Sequence, residues 1–330
     1  MATSLTGPVL VLLDHDPGGA LRPAVLELLT IGRELGAVEG AWFGEPPSAD
    51  ELERLGTYGV TTVHHLELGS ADARLTPVSG EALASLARAT GASALLLSST
   101  FANKETAARV GVAEGAGVVV DASGAEVAEG RVVVTKSVLA GTWTTRCAVR
   151  TPLAVVAFKA NAVQAAPAAD LGVTPTVARH DVPVTDRAQL ASLVDHVEAA
   201  PSGRPELGEA QVVVVGGRGT EGDFSAVEEL ADVLGGAVGA TRVATDEGWV
   251  SHDAQIGQTG VTISPKLYIG AGVSGAVHHR GGMQSSGTIV AVNADPEAPI
   301  FEIADFGIIG DLFAVLPQAA AELRRLKAEG

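Results

Sequence analysis

Cysteine is nearly absent from this chain of 330 residues: Cys147 is the only one. An internal disulfide and a cysteine-held cluster are thereby excluded, and a reducing compartment is expected. Cys147 lies in the alternating run Thr144-Thr145-Arg146-Cys147-Ala148-Val149-Arg150, where a packing thiol is the expected role. Aromatic residues are scarce as well, at 4%. Ala, Val and Leu must fill the cores, and a hydrophobic content of 46% supplies them. Positive charge is in deficit, with 22 basic residues against 39 acidic and a net charge of -17. A nucleic-acid partner needs a basic face, so no nucleic acid is expected. The acidity favours solubility and steers toward basic partners. Long uncharged apolar runs are missing, so the chain is not expected to be membrane-embedded. Met1–Gly7 has no charged leader region, and Pro8–Leu13 is too short for a secretory core. The expected location is cytoplasmic.

What is present is a repeating alternation. Pro8–Leu13 reads as a buried strand, followed by a turn at Asp14-His15-Asp16-Pro17-Gly18-Gly19. Pro23 suits a first helical turn, with Val25, Leu28, Leu29 and Gly32 on one face. Strands are expected at Ala37–Phe43, Val60–Leu66 and Ala94–Leu97, and helices at Ala49–Leu55, Glu81–Ala89 and Lys104–Val112. Such alternation predicts a mainly parallel sheet with helices on both faces. Asp14-His15-Asp16 is read as turn chemistry rather than a metal cluster, because adjacent side chains there diverge. His64 and His65 fall in a strand, so their rings point to opposite faces. Ser98-Ser99-Thr100 is read as a helix cap.

From Gly117 the pattern shifts to strands separated by turns: Val118–Val120, Arg131–Thr135, Ser137–Leu139, Thr142–Ala148 and Leu153–Phe158. They are expected to extend the first sheet with antiparallel strands. A stretch rich in Ala, Pro and Val follows, with a short helix expected over Asp186–Ala199. The breakers at Pro201–Pro205 place a domain boundary there. The fold class is α/β in two domains, 1–203 and 204–330, each a mainly parallel sheet flanked by helices, the first extended by antiparallel strands.

The second domain opens with a strand at Gln211–Val215. Gly217, Gly219 and Gly222 then match G-x-G-x-x-G ahead of a helix, with Ser225 and Glu228 at capping-box spacing. In a chain with 40 glycines the motif alone is weak. The strongest stretch is Ile256 to Asn293. Two apolar runs, Leu267–Ile269 and Ile289–Val292, end in small and polar residues, which is where an open α/β sheet binds ligands. The loop Gly270–Gly275 offers bare backbone to an anion, most simply a phosphate. Gln258, Thr259, Ser274, His278, His279 and Asn293 supply hydrogen-bonding groups nearby.

This stretch resembles the FAD-binding domain of the electron transfer flavoprotein alpha subunit. The resemblance is carried by Ile256-Gly257-Gln258-Thr259-Gly260, by Leu267-Tyr268-Ile269, and by Ser274-Gly275-Ala276-Val277-His278-His279. Ala291-Val292-Asn293, Asp295–Phe301 and Ala304-Asp305-Phe306-Gly307 follow in the family's order. His278 stands where the family usually has Gln, Thr241 where it has Ser, and Gly270 where it more often has Ala. The resemblance implies FAD as cofactor and assigns roles. His279 would donate to the flavin C2 carbonyl, Arg242 would lie against the ring, and Thr259 would bond near N5 and O4. Gln258 would hold the ribityl chain or ring edge. Arg218, Ser274, Gly275 and Asn293 would hold the pyrophosphate and adenosine, and Asp311 with Leu312 the AMP half. Thr241, Gln255, Ile256, Gly257, Ala276, Val277 and the backbone of His278 would complete the binding set. No metal is expected.

The resemblance further implies a heterodimer with the electron transfer flavoprotein beta subunit, contacted by the first domain. It implies a role in fatty acid oxidation. Electrons would come from acyl-CoA and related flavin dehydrogenases and go to a membrane quinone oxidoreductase. The chain would be a carrier without a substrate turnover of its own. The residues leave rivals: a stand-alone NAD(P)-dependent oxidoreductase using the Gly216–Gly222 loop, a bifurcating flavoprotein subunit, or a first domain acting as an adenine-nucleotide-binding or scaffolding module.

Overall fold

The structure is a computed structural model and describes residues 4–139, 141–168, 174–195 and 203–329. The chain forms two compact units, one of Met1–Lys136 with Thr144–Glu198, the other of Ser137–Trp143 with Ala199–Gly330.

In the first unit, ten strands follow in chain order: β1 Val9–Leu12, β2 Val38–Phe43, β3 Val60–Glu67, β4 Ala94–Ser98, β5 Gly117–Ala122, β6 Gly124–Ala128, β7 Arg131–Val138, β8 Trp143–Ala148, β9 Ala154–Phe158 and β10 Thr176–Asp181. Seven of them form one sheet in the order β10-β3-β2-β1-β4-β9-β5, and every neighbouring pair is parallel. Strand β1 shows why. Val9 and Val11 feed one apolar core and Leu10 and Leu12 the other, so both faces are buried. Helix α1 (Pro23–Leu35) covers the first face; α3 (Thr76–Thr90) and α4 (Phe101–Glu114) cover the second. Helix α2 (Ala49–Thr57) starts at Ser48, whose side chain accepts from Glu51 N.

The antiparallel strands expected after Gly117 are present, but they pair among themselves. Strands β6, β7 and β8 make a separate three-stranded sheet, with β6 antiparallel to β7. Strands β5 and β9 instead join the parallel sheet. Strand β10 was not expected, and 186–195 is turn, bend and irregular chain rather than helix. The rest of that expected helix, 196–199, lies outside the described residues, as do Pro201 and Ser202 of the expected boundary. Cys147 is exposed on β8, not packed.

Thr100 caps α4 by accepting from Asn103 N. The side chains of the Asp14–Asp16 turn do diverge: Asp14 accepts from Asn103, His15 stacks on Trp42, and Asp16 accepts from Ala20 N. His64 turns to Glu39 and His180, whereas His65 turns to the Gly44 carbonyl.

The second unit carries β11 Val212–Gly216, β12 Ala237–Ala240, β13 Leu267–Ala271, β14 Thr288–Asn293 and β15 Phe306–Ile309, with α5 Ser225–Leu234, α6 Arg242–Asp246, α7 Val277–Met283 and α8 Leu312–Glu329. The sheet order is β12-β11-β13-β14-β15, all parallel. From β11 the chain winds first to β12 on one side and then returns to β13 on the other. The carboxyl ends of β11 and β13 therefore part their loops in opposite directions and leave a crevice. Helices α5 and α8 pack on one face, while Ile256, Ile263 and Met283 of α7 pack on the other. The expected capping box is not formed. Ser225 is already the first helical residue, and its N–H is met by Asp223 Oδ1 at 2.9 Å.

Candidate functional site

The crevice at the carboxyl ends of β11, β12 and β13 is a cleft of about 690 Å³, within the usual range for small-molecule sites. Its floor is built from glycines that touch each other. The Gly217 and Gly219 N–H groups donate to the carbonyls of Ala271 and Gly272, each at 3.0 Å. A Cβ on Gly217 would stand 2.4 Å from Gly272 O, and one on Gly219 would stand 2.7 Å from Gly272 Cα. Gly272 also holds a left-handed φ of 62°. The fingerprint glycines are thus required first by the meeting of two loops. That meeting brings bare backbone to the cleft.

Thirteen residues expected at the site line this cleft: Arg218, Thr241, Arg242, Gln255, Ile256, Gly257, Gln258, Thr259, Ser274, Ala276, His278, His279 and Asn293. Four others do not. Gly275, at φ 80°, lies under Ile300. Val277 is exposed as the first residue of α7. Asp311 uses Oδ1 to accept from Phe313 N at the start of α8. Leu312 is buried, with its side chain at the place a Cβ of Gly272 would take. Glu221, Asp246, Asp295 and Pro299 line the cleft without having been expected. For Asp246 a signal existed: it stands four residues after Arg242 on one helix.

His279 is buried beneath the cleft. Its Nδ1 lies 3.1 Å from Ile256 O, and its Nε2 lies 2.8 Å from Tyr268 Oη. A carbonyl only accepts, so Nδ1 carries the proton and Nε2 accepts from the tyrosine hydroxyl. Burial drives the His279 pKa down to about 4, against a weaker upward pull from the Ile256 bond. The ring is neutral at pH 7, and both nitrogens are engaged within the protein. Donation to a ligand by this ring, as the resemblance implies, requires one of these bonds to be exchanged. Burial likewise pushes the Tyr268 hydroxyl up, keeping it protonated.

Thr259 is differently placed. Thr245 Oγ1 shares its one hydrogen between the Arg242 carbonyl at 2.9 Å and Gln255 Oε1 at 2.8 Å, and Gln255 Nε2 donates to Thr259 Oγ1 at 3.1 Å. Thr259 therefore receives one hydrogen and keeps its own to give to the cleft. Gln258 and His278 are joined twice: Gln258 N donates to the His278 carbonyl, and His278 Nδ1 donates to Gln258 Oε1, both at 2.9 Å. Arg242 pairs through Nε with Asp246 Oδ2 at 3.1 Å, and both side chains are more than half exposed. Asn293 spends its amide on the loops, donating to Val273 O and accepting from Asp295 N. Bare glycine backbone, two arginines and a hydroxyl donor suit an elongated ligand with phosphates at one end and a flat polar heterocycle at the other.

Comparison with known proteins bears on what that ligand is. Residues 9–185 match the electron transfer flavoprotein domain, and residues 206–284 match the electron transfer flavoprotein FAD-binding domain. An electron transfer flavoprotein subunit alpha of Mycobacterium leprae is 43% identical over 96% of this chain and 98% of its own. Its counterpart in Mycobacterium tuberculosis is 42% identical over 97% and 99%. That of Bacillus subtilis is 32% identical over 97% and 98%.

Proposed function

From the premise that this chain belongs to the electron transfer flavoprotein alpha-subunit family, we propose that it works as one half of a heterodimer with a beta subunit. FAD is the cofactor of its second domain, and the residues of the cleft fit that group. When bound, FAD supplies the redox chemistry, and the protein supplies placement and electrostatics. In this reading electrons arrive from flavin dehydrogenases such as acyl-CoA dehydrogenases and leave toward a membrane quinone oxidoreductase. Among the described residues no helix is long and apolar enough to cross a membrane. The domains of this reading are 1–203, which contacts the beta subunit, and 204–330, which holds FAD.

The residues divide the work as follows. Gly219 and Gly272, which line the cleft without side chains, would leave room for the pyrophosphate, with Arg218 beside it. Thr259, held by Gln255, would have its hydroxyl hydrogen to give to the ring. Arg242 would supply a cation beside the ring, which would favour added negative charge there. His279 stays neutral, so it contributes a fixed dipole rather than a charge.

The observation that supports this reading is that Arg218, Arg242, Gln258 and Thr259 line one cleft at the carboxyl ends of the strands, a donor set that suits a phosphate-bearing flavin. Co-expression with the beta subunit tests it. The purified pair should be yellow, release FAD and not FMN on acid treatment, and be reduced by an acyl-CoA dehydrogenase with its substrate. Reduction of the isolated chain by a nicotinamide, without a partner, would replace this reading with that of a dehydrogenase.

A further inference from the structure

The chain has two tyrosines, Tyr58 and Tyr268, and Tyr268 is wholly buried on β13. That strand lies inside its sheet and is paired on both sides: Tyr268 stands opposite Val213 of β11 and Ile289 of β14. The backbone is fixed there, and with it the direction of the side chain. A hydroxyl buried so deeply must find a partner. It meets His279 Nε2 at 2.8 Å, with the two rings 6.0 Å apart and tilted by 55°.

Gly270 makes the room for this contact. It lies two residues further along the same face of β13, and a Cβ there would stand 2.9 Å from both Cε1 and Oη of Tyr268. A side chain at 270 would press the tyrosine ring off its course to His279.

His279 is held at its other nitrogen too. Ile256 N donates to Ala240 O at 2.9 Å, which anchors the residue whose carbonyl takes the Nδ1 hydrogen. A carbonyl can only accept. The hydroxyl can do either: it donates to a bare Nε2, and by turning its hydrogen it accepts from a protonated one. Tyr268 is therefore the partner that answers to the state of Nε2.

We propose that Tyr268 is a positioning residue for the flavin: its hydroxyl occupies the Nε2 lone pair of His279, so that this ring gives the cofactor neither hydrogen nor charge while the bond stands. This rests on the reading of the cleft as the FAD site. A hydrogen bond given to the neutral ring favours the neutral form, and it acts with burial, which brings the His279 pKa down to about 4. The charged and titratable side chains of the cleft are Arg218, Glu221, Arg242, Asp246, His278 and Asp295; Arg280 on α7 is paired with Glu302. The bonds of the His279 ring go to Tyr268 and Ile256 instead. With that ring uncharged, the fixed cations of the cleft are Arg218 and Arg242.

Nitrogen-15 NMR of the histidine-labelled, FAD-loaded protein co-expressed with the beta subunit tests this, with His279→Gln assigning the signals. In wild type, His279 should carry hydrogen on Nδ1 and a hydrogen-bonded lone pair at Nε2. Tyr268→Phe keeps the ring and removes the hydroxyl. The His279 midpoint should then rise from about 4 to about 5, on the order of tenfold in proton affinity, for the loss of one hydrogen bond to the neutral ring. Gly270→Ala should move it the same way with both rings intact, and it decides the matter if Tyr268→Phe does not fold. Tyr58→Phe, in the first unit, should match wild type. The first one-electron potential should differ more between pH 5 and pH 8 in Tyr268→Phe than in wild type, His278 being common to both. Release of FMN, or of no flavin, on acid treatment would refute the cofactor reading, whereas the nitrogen signals judge the role of the hydroxyl. A hydrogen on Nε2 in wild type, or an unmoved His279 midpoint in both variants, overturns the proposal.

Discussion

At the scale of the residue, His279 sets a pH limit. Its pKa falls from an ordinary 6.5 to about 4 because the ring is buried. As pH drops, the unfolded chain takes up that proton first. The contribution to stability is thus whole above about 6.5 and is lost between about 6.5 and about 4. Between pH 7 and pH 4 this removes about 3 kcal/mol. His279→Gln, with no proton to gain, should lose about 3 kcal/mol less over that interval in urea unfolding. Arg242 acts on charge instead. Opposite unit charges ~4 Å apart at an effective dielectric of ~20 attract by about 4 kcal/mol. Delocalisation and solvent reduce that to roughly 1–3 kcal/mol, so Arg242→Ala should lower the first one-electron potential of the bound flavin by roughly 40–130 mV. Pairing with Asp246 and high exposure place the effect at the lower end. Asp246→Asn should shift the potential the opposite way, and Arg242→Lys should keep part of the wild-type value. Potentiometric titration reads all three; an unmoved potential in Arg242→Ala with FAD still bound removes Arg242 from the ring. The residues of the cleft were legible because their motifs run in a fixed order. What they bond to was not. Only folding shows that His279 spends its nitrogens on Tyr268 and Ile256, or that Asn293 serves the loops.

At the scale of the element, the contact between the loops after β11 and β13 is the least tolerant part of the second unit. Gly217→Ala must move Gly272 backbone, since the clash is with a carbonyl and not with a flexible side chain. A loss of about 1–3 kcal/mol is expected, with a lower flavin-to-protein ratio after gel filtration. Gly248→Ala meets no atom within 4 Å and carries only the strain of its φ of 73°, so it should retain flavin fully. Most strands and helices could be read from apolar runs because both faces of each central strand are buried. Strand β10 could not. Thr176–Asp181 is mostly exposed at the sheet edge, so its identity comes from parallel pairing with β3 rather than from any apolar pattern. Helix α3 begins at Thr76, before the apolar periodicity that marks its later turns. The capping box failed for a simpler reason: Asp223, two residues ahead of Ser225, reaches the same N–H.

At the scale of the whole molecule, the five strands and four helices of the FAD domain all lie beyond Arg204. A fragment from Arg204 to Gly330 should fold and bind FAD, yet fail to co-purify with the beta subunit; pairing as tight as that of the full chain would count against the assigned domain roles. The sheet of this domain is also unequal at its two margins. At β12 one isolated bridge, Ala240–Gln255, pairs the end of the edge strand. Beyond β15 no further strand follows among the described residues, and Phe306, Ile308 and Ile309 stand exposed. Open strand margins recruit other strands. Recruitment of a second copy through β15 covers the same apolar margin on both chains, and such a like-to-like contact closes about a two-fold axis. Chains made in excess of their partner should therefore accumulate as pairs rather than as fibres. Sedimentation of the chain expressed alone should show a monomer–dimer equilibrium with no larger species, shifted to monomer by Ile308→Lys.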